Sequence, residues 1–74
     1  MTNIEDLTLK DKVLIRKGVE SVSEDEDYIR KFPENVMGKV CNIFAEDNRV
    51  NVCFEYDKTN YTLMYRPSDL VKTP

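Results

Sequence analysis

The alternation of apolar and polar residues along the chain predicts five short β-strands. The clearest run is residues 50–56, where Val50, Val52, Phe54 and Tyr56 take alternate positions. A period of two is the signature of a strand with one buried face. Further runs at residues 12–16, 36–44, 61–65 and 70–72 are read as the other four strands. Short turns between such strands favour a small barrel or sandwich, so we expect an all-β fold.

The first two strands are separated by a connection of about eighteen residues, residues 19–36. A structureless loop of that length is unusual in a compact domain. Within it, Tyr28, Ile29 and Phe32 have the spacing of one helical turn that packs an apolar edge, and Pro33 would end that turn. We therefore expect this connection to be partly folded onto the sheet or to be the functional element.

The 74 residues suffice for one domain. We predict a lead-in over residues 1–9, in which Leu7 and Leu9 are candidates to pack beneath the sheet, and a single domain over residues 10–74. One core of this size typically supplies about 3–5 kcal/mol. The domain has little room for an enclosed active site, so a groove between loops or an exposed sheet face is the expected functional surface.

Charge and composition narrow the class of function. The formal net charge is −3 and the sequence pI is about 4.8. Nucleic-acid-binding domains typically carry a basic stripe or a high pI, so nucleic acid is a disfavoured partner. The chain has no histidine, no glycine-rich phosphate loop and no recognisable nucleophile–base pair. We therefore predict that the protein is not an enzyme and that it uses no cofactor and no metal.

Neither a membrane segment nor an export signal is visible. The sequence has no apolar run of about 18 residues, and its first six residues lack the basic and apolar regions of a secretory signal. We expect a cytoplasmic protein with reduced thiols and no membrane partner. A monomer or a weak homodimer is expected, since an exposed edge strand could pair two copies.

Three stretches resemble small SH3-like barrels. They are Asp11-Lys12-Val13-x-Ile15, Gly38-Lys39-Val40-x-x-Ile43 with Val50-x-Val52-x-Phe54, and Tyr65-Arg66-Pro67-Ser68-Asp69-Leu70-Val71. Over about residues 10–72 the chain is similar to KOW-type and Mind-bomb-type modules, in which a glycine opens the second strand and an Asp-Leu pair ends a helical turn. The resemblance implies a five-stranded SH3-like barrel with a long loop between strands 1 and 2. This chain lacks the glycine-rich basic loops by which many KOW modules hold RNA.

A second resemblance concerns composition alone. Short, acidic chains rich in Asn, Asp, Lys and Tyr are similar to accessory proteins of large tailed phages, which often bind a host or viral protein. This resemblance also implies a protein partner.

Aromatic and arginine side chains are the first candidates for a partner-binding surface. Tyrosine and arginine are enriched among the residues that dominate binding energy at interfaces. SH3-like barrels often bind ligands at aromatic residues on loops and strand ends, although such rings can also simply cap the core. The candidate partner-binding residues are Tyr28, Phe32, Tyr56, Tyr61, Tyr65 and Arg66, with the two loop residues forming one wall of the groove.

Two charged clusters are further candidates. The acidic run Glu24–Asp27 could dock a basic partner surface or simply solvate the loop, and it lacks the ligand spacing of a calcium loop. The basic cluster could contact phosphates or merely balance nearby acids. Its residues, the candidates for the alternative function of a nucleic-acid-binding KOW-like barrel, are Lys12, Arg16, Lys17, Arg30 and Lys31.

The register of the second and third strands decides how the two cysteines are placed. A three-residue turn that ends with Asn48 in the left-handed region places Cys41 opposite Cys53. A two-residue turn makes Cys41 face Phe54 instead. The two thiols could form a redox pair, or they could be two small half-buried side chains in a reduced protein.

Overall fold

The computed structural model describes residues 2–73 and confirms the all-β class. The strands are β1 (Lys12–Ile15), β2 (Val36–Phe44), β3 (Arg49–Tyr56), β4 (Thr59–Tyr65) and β5 (Leu70–Lys72). Single 3₁₀ turns lie at Ile4–Asp6, Glu26–Tyr28, Ala45–Asp47 and Pro67–Asp69. Met1 and Pro74, the outer ends of the predicted lead-in and domain, lie outside the described residues. No helix within residues 2–73 is long and apolar enough to cross a membrane.

The strands form one antiparallel sheet in the order β4-β3-β2-β1-β5. Strands β4 and β5 are its two edges, and no ladder joins them within residues 2–73, so the described sheet is open. The β3–β4 hairpin is tighter than expected. Asp57 and Lys58 both have positive φ, at 50° and 63°, as a two-residue hairpin turn requires, and β4 therefore begins at Thr59.

One face of the sheet carries the core, as the alternation predicts. Val50, Val52 and Phe54 of β3 are buried, and their β4 partners Tyr65, Leu63 and Tyr61 lie on the same face. Burial of each large apolar side chain contributes about 1.5–3 kcal/mol. The buried hydrophobic residues are Leu7, Val13, Ile15, Phe32, Val36, Val40, Val50, Val52, Phe54, Tyr65 and Leu70.

The β2–β3 hairpin contradicts both predicted registers. Asn48 is left-handed, with φ of 54°, as expected. Residues 45–48 all belong to the connection, however, so Phe44 pairs with Arg49. A bulge between Val40 and Asn42 then shifts the ladder by one residue at Cys41. Cys41 is therefore an extra residue that is paired with neither Cys53 nor Phe54.

The connection between β1 and β2 is partly folded onto the sheet, which confirms that expectation. The Val22 N–H donates to the Met64 carbonyl at 2.8 Å, which forms an isolated bridge to β4. Buried Ser21 ties the two arms of the loop together, because its N–H donates to the Arg30 carbonyl and its hydroxyl accepts from the Arg30 N–H, both at 2.9 Å.

The prediction that one helical turn includes Tyr28, Ile29 and Phe32 is wrong. The 3₁₀ turn ends at Tyr28, and Ile29 is already extended. Tyr28 is 64% exposed, whereas Phe32 is 6% exposed and lies in the core. The two rings therefore do not share one packing edge. Phe32 anchors the loop, and Tyr28 remains at the surface.

The lead-in also packs against the sheet. Leu7 is buried, as expected, but Leu9 is 59% exposed. The Lys72 ammonium donates to the Asp6 carbonyl at 2.8 Å, which connects the lead-in to β5. The Asp11 carboxylate accepts the Thr8 N–H at 2.8 Å, and this hydrogen bond is the main reason why the pKa of Asp11 is lowered.

Candidate functional site

A cluster of four aromatic rings joins the long loop to β3 and β4. Phe32 meets Phe54 edge-on at 5.3 Å between ring centroids and meets Tyr61 in the same manner at 5.2 Å. The Phe32–Tyr56 distance is 4.8 Å, and Phe54 stacks on Tyr61 at 5.5 Å. Such pairs contribute about 0.5–1.5 kcal/mol beyond the burial of their area. The cluster holds the loop at a defined position beside β4.

The six candidate partner-binding residues do not form one continuous surface. Phe32 lies within the aromatic cluster, and Tyr56 and Tyr61 are half-buried at its margin. Partial burial, with the charges of Glu34 and Asp57, raises the pKa of Tyr56. Tyr28 is exposed and Tyr61 is partly exposed, so both are accessible to a partner.

The other two candidates lie at the end of β4. Tyr65 is fully buried opposite Val50 and belongs to the core rather than to the accessible surface. Arg66 is exposed and pairs with Asp69 at 3.8 Å across the turn that Pro67 begins. This ion pair is well solvated, and such pairs contribute about 0–1 kcal/mol. Arg66 remains available as a surface cation, whereas Tyr65 does not.

A groove of about 380 Å³ runs between the long loop and β4. The exposed Tyr28 of the loop and the half-buried Tyr61 of β4 both line it. Sequence reasoning placed the wall of the groove at Tyr28 and Phe32, but it missed the bridge that brings Val22 to Met64. The lining residues are Val22, Ser23, Tyr28 and Arg30 of the loop, Tyr61, Thr62, Leu63 and Met64 of β4, and Asn51 of β3.

The acidic run Glu24–Asp27 lies in the loop between Ser23 and Tyr28, which both line this groove. The Asp25 carboxylate accepts the Asp27 N–H at 3.0 Å and so caps the 3₁₀ turn. Arg30 donates to the carbonyls of Asp27 and Ile29, at 2.6 and 3.2 Å. Within residues 2–73, no carboxylate of Glu24–Asp27 forms an ion pair. The acidic run therefore adds negative charge to the loop next to the groove, whose own lining includes the cation of Arg30.

The five candidate nucleic-acid-binding residues are divided among separate places. Lys17 and Lys31 line a groove of about 490 Å³ with Phe32 and Pro33. Lys12 lies on the outer face of the sheet, directly opposite Lys39, which sequence reasoning missed because it depends on the strand register. Arg30 and Arg16 belong to neither place. Arg30 donates to loop carbonyls, and Arg16 lies beside Leu70 and Val71.

The bulge in β2 gives the cysteines an unexpected arrangement. The adjacent residues Cys41 and Asn42 are both exposed, because the extra residue interrupts the alternation of buried and exposed positions along β2. Neither predicted register is present, and both thiols are free: the Cys41 thiol donates to the Asn51 carbonyl, and the Cys53 sulfur is 3.4 Å from the Thr62 hydroxyl. Desolvation, followed by the interaction with Cys53, raises the pKa of Cys41 to about 11. The hydrogen bond with Cys41, followed by that with Thr62, lowers the pKa of Cys53.

Tyr65 provides a test of the buried end of β4. Its hydroxyl has no hydrogen-bond partner among the described residues. An unsatisfied buried polar group costs about 1–3 kcal/mol, so Tyr65→Phe is expected to raise the free energy of unfolding by about 1 kcal/mol. In a domain of this size that corresponds to a Tm increase of about 4–8 °C, measurable by thermal denaturation. A lower Tm in the variant would contradict this account of the hydroxyl.

The same residue has a defined pH signature. Burial raises the pKa of Tyr65 from 10 to about 12, because the phenolate is disfavoured in the core. The folded pKa exceeds the unfolded one, so this contribution to stability is fully present below pH 10 and is lost as the pH rises through 12. We expect wild-type stability to fall across this window, and we expect Tyr65→Phe to lose less stability there.

No protein-family model, curated protein or solved structure matches the chain.

Proposed function

We propose that this protein is a non-catalytic interaction module that binds a protein partner in the groove between the long loop and β4. The observation that carries the proposal is the position of Tyr28. Its ring is 64% exposed on one wall of the groove, and Tyr61 lines the other side. Tyrosines in such positions supply large contact area at a low cost in conformational entropy.

An extended segment of the partner fits the groove best. Strand β4 is an edge strand, and Val22 already donates one backbone hydrogen bond to Met64 there. Since backbone groups alternate sides along an antiparallel strand, Thr62 and Asn60 direct theirs to the same edge. An incoming strand would use these groups by β-augmentation and place alternate side chains against the tyrosines.

The acidic rim favours a partner segment that carries basic residues. The residues Glu24–Asp27 lie in the loop between the groove-lining residues Ser23 and Tyr28, and their carboxylates form no ion pair within residues 2–73. Complementary charge mainly increases the association rate and suppresses acidic competitors. Arg66, which is also exposed, extends the proposed surface beyond the groove.

The finer fold assignment belongs to the same proposal. The sheet order β4-β3-β2-β1-β5 and the long first connection support an SH3-like barrel, as does the turn Pro67–Asp69 before the last strand. In such barrels the first long loop and the strand ends form the ligand surface. The proposal extends to this chain being a small phage protein that acts on a host or viral protein in the cytoplasm.

Tyr28→Ala tests the groove. We expect loss of a central aromatic anchor to weaken partner capture by at least about thirtyfold, as for an interface residue that contributes 2 kcal/mol or more. Folding stability is expected to remain within about 0.5 kcal/mol, because the side chain is exposed. The measurement is capture from host lysate followed by titration with the purified partner.

Leu9→Ala is the matched control, since Leu9 is 59% exposed outside the groove. Thr62→Pro provides a second variant, because it removes an edge-facing N–H and should weaken capture by preventing strand addition. Equal capture by wild type and Tyr28→Ala would refute the groove as the binding site. Equal losses in Tyr28→Ala and Leu9→Ala would indicate non-specific adhesion of exposed apolar side chains.

A nucleic-acid-binding barrel is the second candidate, and the groove that Lys17 and Lys31 share favours it. Phosphate contacts release counterions, so such binding would fall steeply between about 50 mM and 200 mM salt. Capture that is abolished by nuclease and by this salt increase would support nucleic acid. Capture that survives both treatments would support a protein partner.

A further inference from the structure

The outward-facing residues of β1 and β2 form a surface on the side of the sheet away from the core. Lys12 and Leu14 alternate with buried residues along β1, and Met37 and Lys39 do so along β2. The register places Lys12 opposite Lys39 and Leu14 opposite Met37. Both lysines are exposed, Met37 is 50% exposed and Leu14 is half-buried. These four residues, the outer patch, therefore combine two cations with two apolar side chains.

The two lysines have the arrangement that brings cross-strand side chains closest. The Lys12 carbonyl accepts the Thr73 N–H at 3.0 Å, so the backbone hydrogen bonds of Lys12 are directed toward β5. Lys12 and Lys39 are therefore a non-hydrogen-bonded pair of β1 and β2, whose α-carbons are typically about 4.5 Å apart. Like charges directly opposite each other are destabilising. Because folding does not benefit from this pair, the lysines are candidates for a role in binding.

No acidic side chain neutralises the outer patch. Neither of its lysines forms an ion pair within residues 2–73, and Asp11, the neighbour of Lys12 in sequence, is paired with Lys72 at 3.4 Å. Among the outward-facing residues of the five described strands, the one acidic residue is Glu55, which lies opposite Asn60 at the far end of β3. The outer patch is therefore positive on a chain whose net charge is −3.

A groove of about 450 Å³ at the outer patch provides the apolar part of the site. It is lined by Lys12, Met37, Gly38, Lys39 and Cys53. The stems of lysine side chains are apolar up to the ammonium group, and methionine adapts its shape to the group that packs on it. A ligand that fills this groove would therefore place an apolar side chain on Met37 and negative charge beside the two ammonium groups.

These features favour an acidic protein segment over two other occupants. A second copy bound face to face would bring four lysines together, and such juxtaposition of like charges is costly. A nucleic acid would leave Met37 and Leu14 unused, because the outer patch has no aromatic ring on which a base could stack. A protein segment in which carboxylates flank an apolar side chain uses both the cations and the apolar side chains.

We propose that the outer patch is a docking site for an acidic protein segment. Two carboxylates of the segment contact Lys12 and Lys39, and an apolar side chain between them packs on Met37 and Leu14. Complementary charge speeds association and fixes the position of the segment. This site lies on the opposite side of the sheet from the core and does not depend on the proposed partner groove beside β4.

Two-dimensional ¹⁵N–¹H NMR of the full chain, titrated with a synthetic peptide, tests the site. The peptide contains a leucine flanked by two glutamates and has blocked ends. We expect its amide shift changes to concentrate on the outer patch and on Cys53, and to be absent from Tyr28 and Tyr61 of the partner groove. The same peptide with glutamine in place of each glutamate is expected to bind severalfold more weakly.

Two charge-matched variants locate the cations that bind the peptide. The combined Lys12→Gln and Lys39→Gln variant is expected to bind the acidic peptide severalfold more weakly than wild type. The control is Lys17→Gln combined with Lys31→Gln, which removes the same charge from another groove and is expected to leave peptide binding unchanged.

A charge reversal separates binding from folding. Lys39→Glu replaces the repulsion from Lys12 by attraction, so it is expected to raise the Tm by a few degrees. The same variant is expected to bind the acidic peptide severalfold more weakly, although it is the more stable protein.

The proposal is overturned if the acidic peptide shifts no amide of the outer patch, if the glutamine peptide binds equally well, or if both double variants weaken binding equally. It is also overturned if the amides of the outer patch shift with protein concentration alone, which would indicate a second copy as the occupant. Tighter binding of a single-stranded oligonucleotide than of the peptide at the same amides would overturn it in favour of nucleic acid.

Discussion

Phe32→Ala is expected to destabilise the protein more than any other single truncation in the long loop. The ring is 6% exposed and lies within 4.8 to 5.3 Å, between centroids, of Phe54, Tyr56 and Tyr61. Truncation of a buried phenylalanine typically costs about 3–5 kcal/mol. A core of this size supplies about that much in total, so we expect most of the variant to be unfolded at room temperature.

Urea denaturation followed by circular dichroism measures this loss. Tyr28→Ala is the matched control, because it removes an aromatic side chain from the same loop at a position that is 64% exposed. The free energy of unfolding of this control is expected to change by about 0.5 kcal/mol or less, so its urea midpoint shifts little. If Phe32→Ala remained as stable as Tyr28→Ala, the account of the loop as anchored by Phe32 would be wrong.

Gly38→Ala is expected to have the second large effect, because β2 and β3 are in close contact at this position. A β-carbon built on Gly38 would lie 2.5 Å from Val52 Cγ1, 3.0 Å from the Cys53 carbonyl oxygen and 3.2 Å from Phe54 Cβ. Val52 is fully buried and β-branched, so it has little freedom to turn away. Overpacking of this kind typically costs about 1–3 kcal/mol.

A double-mutant cycle with Val52→Ala isolates the cause. Val52→Ala alone leaves a cavity and destabilises the core, but in the Gly38→Ala background it also removes the closest clashing atom. The two changes are therefore expected to be less than additive in urea denaturation, with a coupling of about 0.5–3 kcal/mol. Strict additivity would show that the contact between Gly38 and Val52 does not limit the packing of β2 on β3.

The resemblance to SH3-like barrels used Gly38 as the residue that opens the second strand. The structure gives that position a further physical reason. The absent side chain lets β2 approach Val52 and Phe54 closely on the core face. Any larger residue at position 38 is expected to disturb the packing of β2 on β3.

The sequence by itself determined the elements and the buried face. The bounds of β2, Val36–Phe44, agree with the prediction, and Val50, Val52 and Phe54 point inward as their alternation requires. Local backbone geometry sets this period of two, and the apolar side chains have one face to bury. A signal of the bulge was also present. Val40 and Ile43 are three residues apart, so a strict alternation cannot keep both inside.

Only the tertiary structure decided which aromatic residues are available to a partner. Tyr28, Phe32 and Tyr65 are chemically similar, yet one is exposed and two are in the core. Their burial depends on contacts between residues distant in sequence, such as Phe32 with Phe54 and the loop bridge to Met64. Propensity and spacing carry no information about such pairs.

The positions of the two cysteines and of the facing lysines Lys12 and Lys39 also depend on the tertiary structure. Strand register depends on the exact length of the Ala45–Asn48 connection and on the bulge at Cys41, and a change of one residue would move every cross-strand neighbour. Several turn lengths fit residues 45–48 equally well in isolation. In the observed register Ile43 packs partly buried against the core and Asn42 is exposed, with the extra residue taken up by the bulge at Cys41.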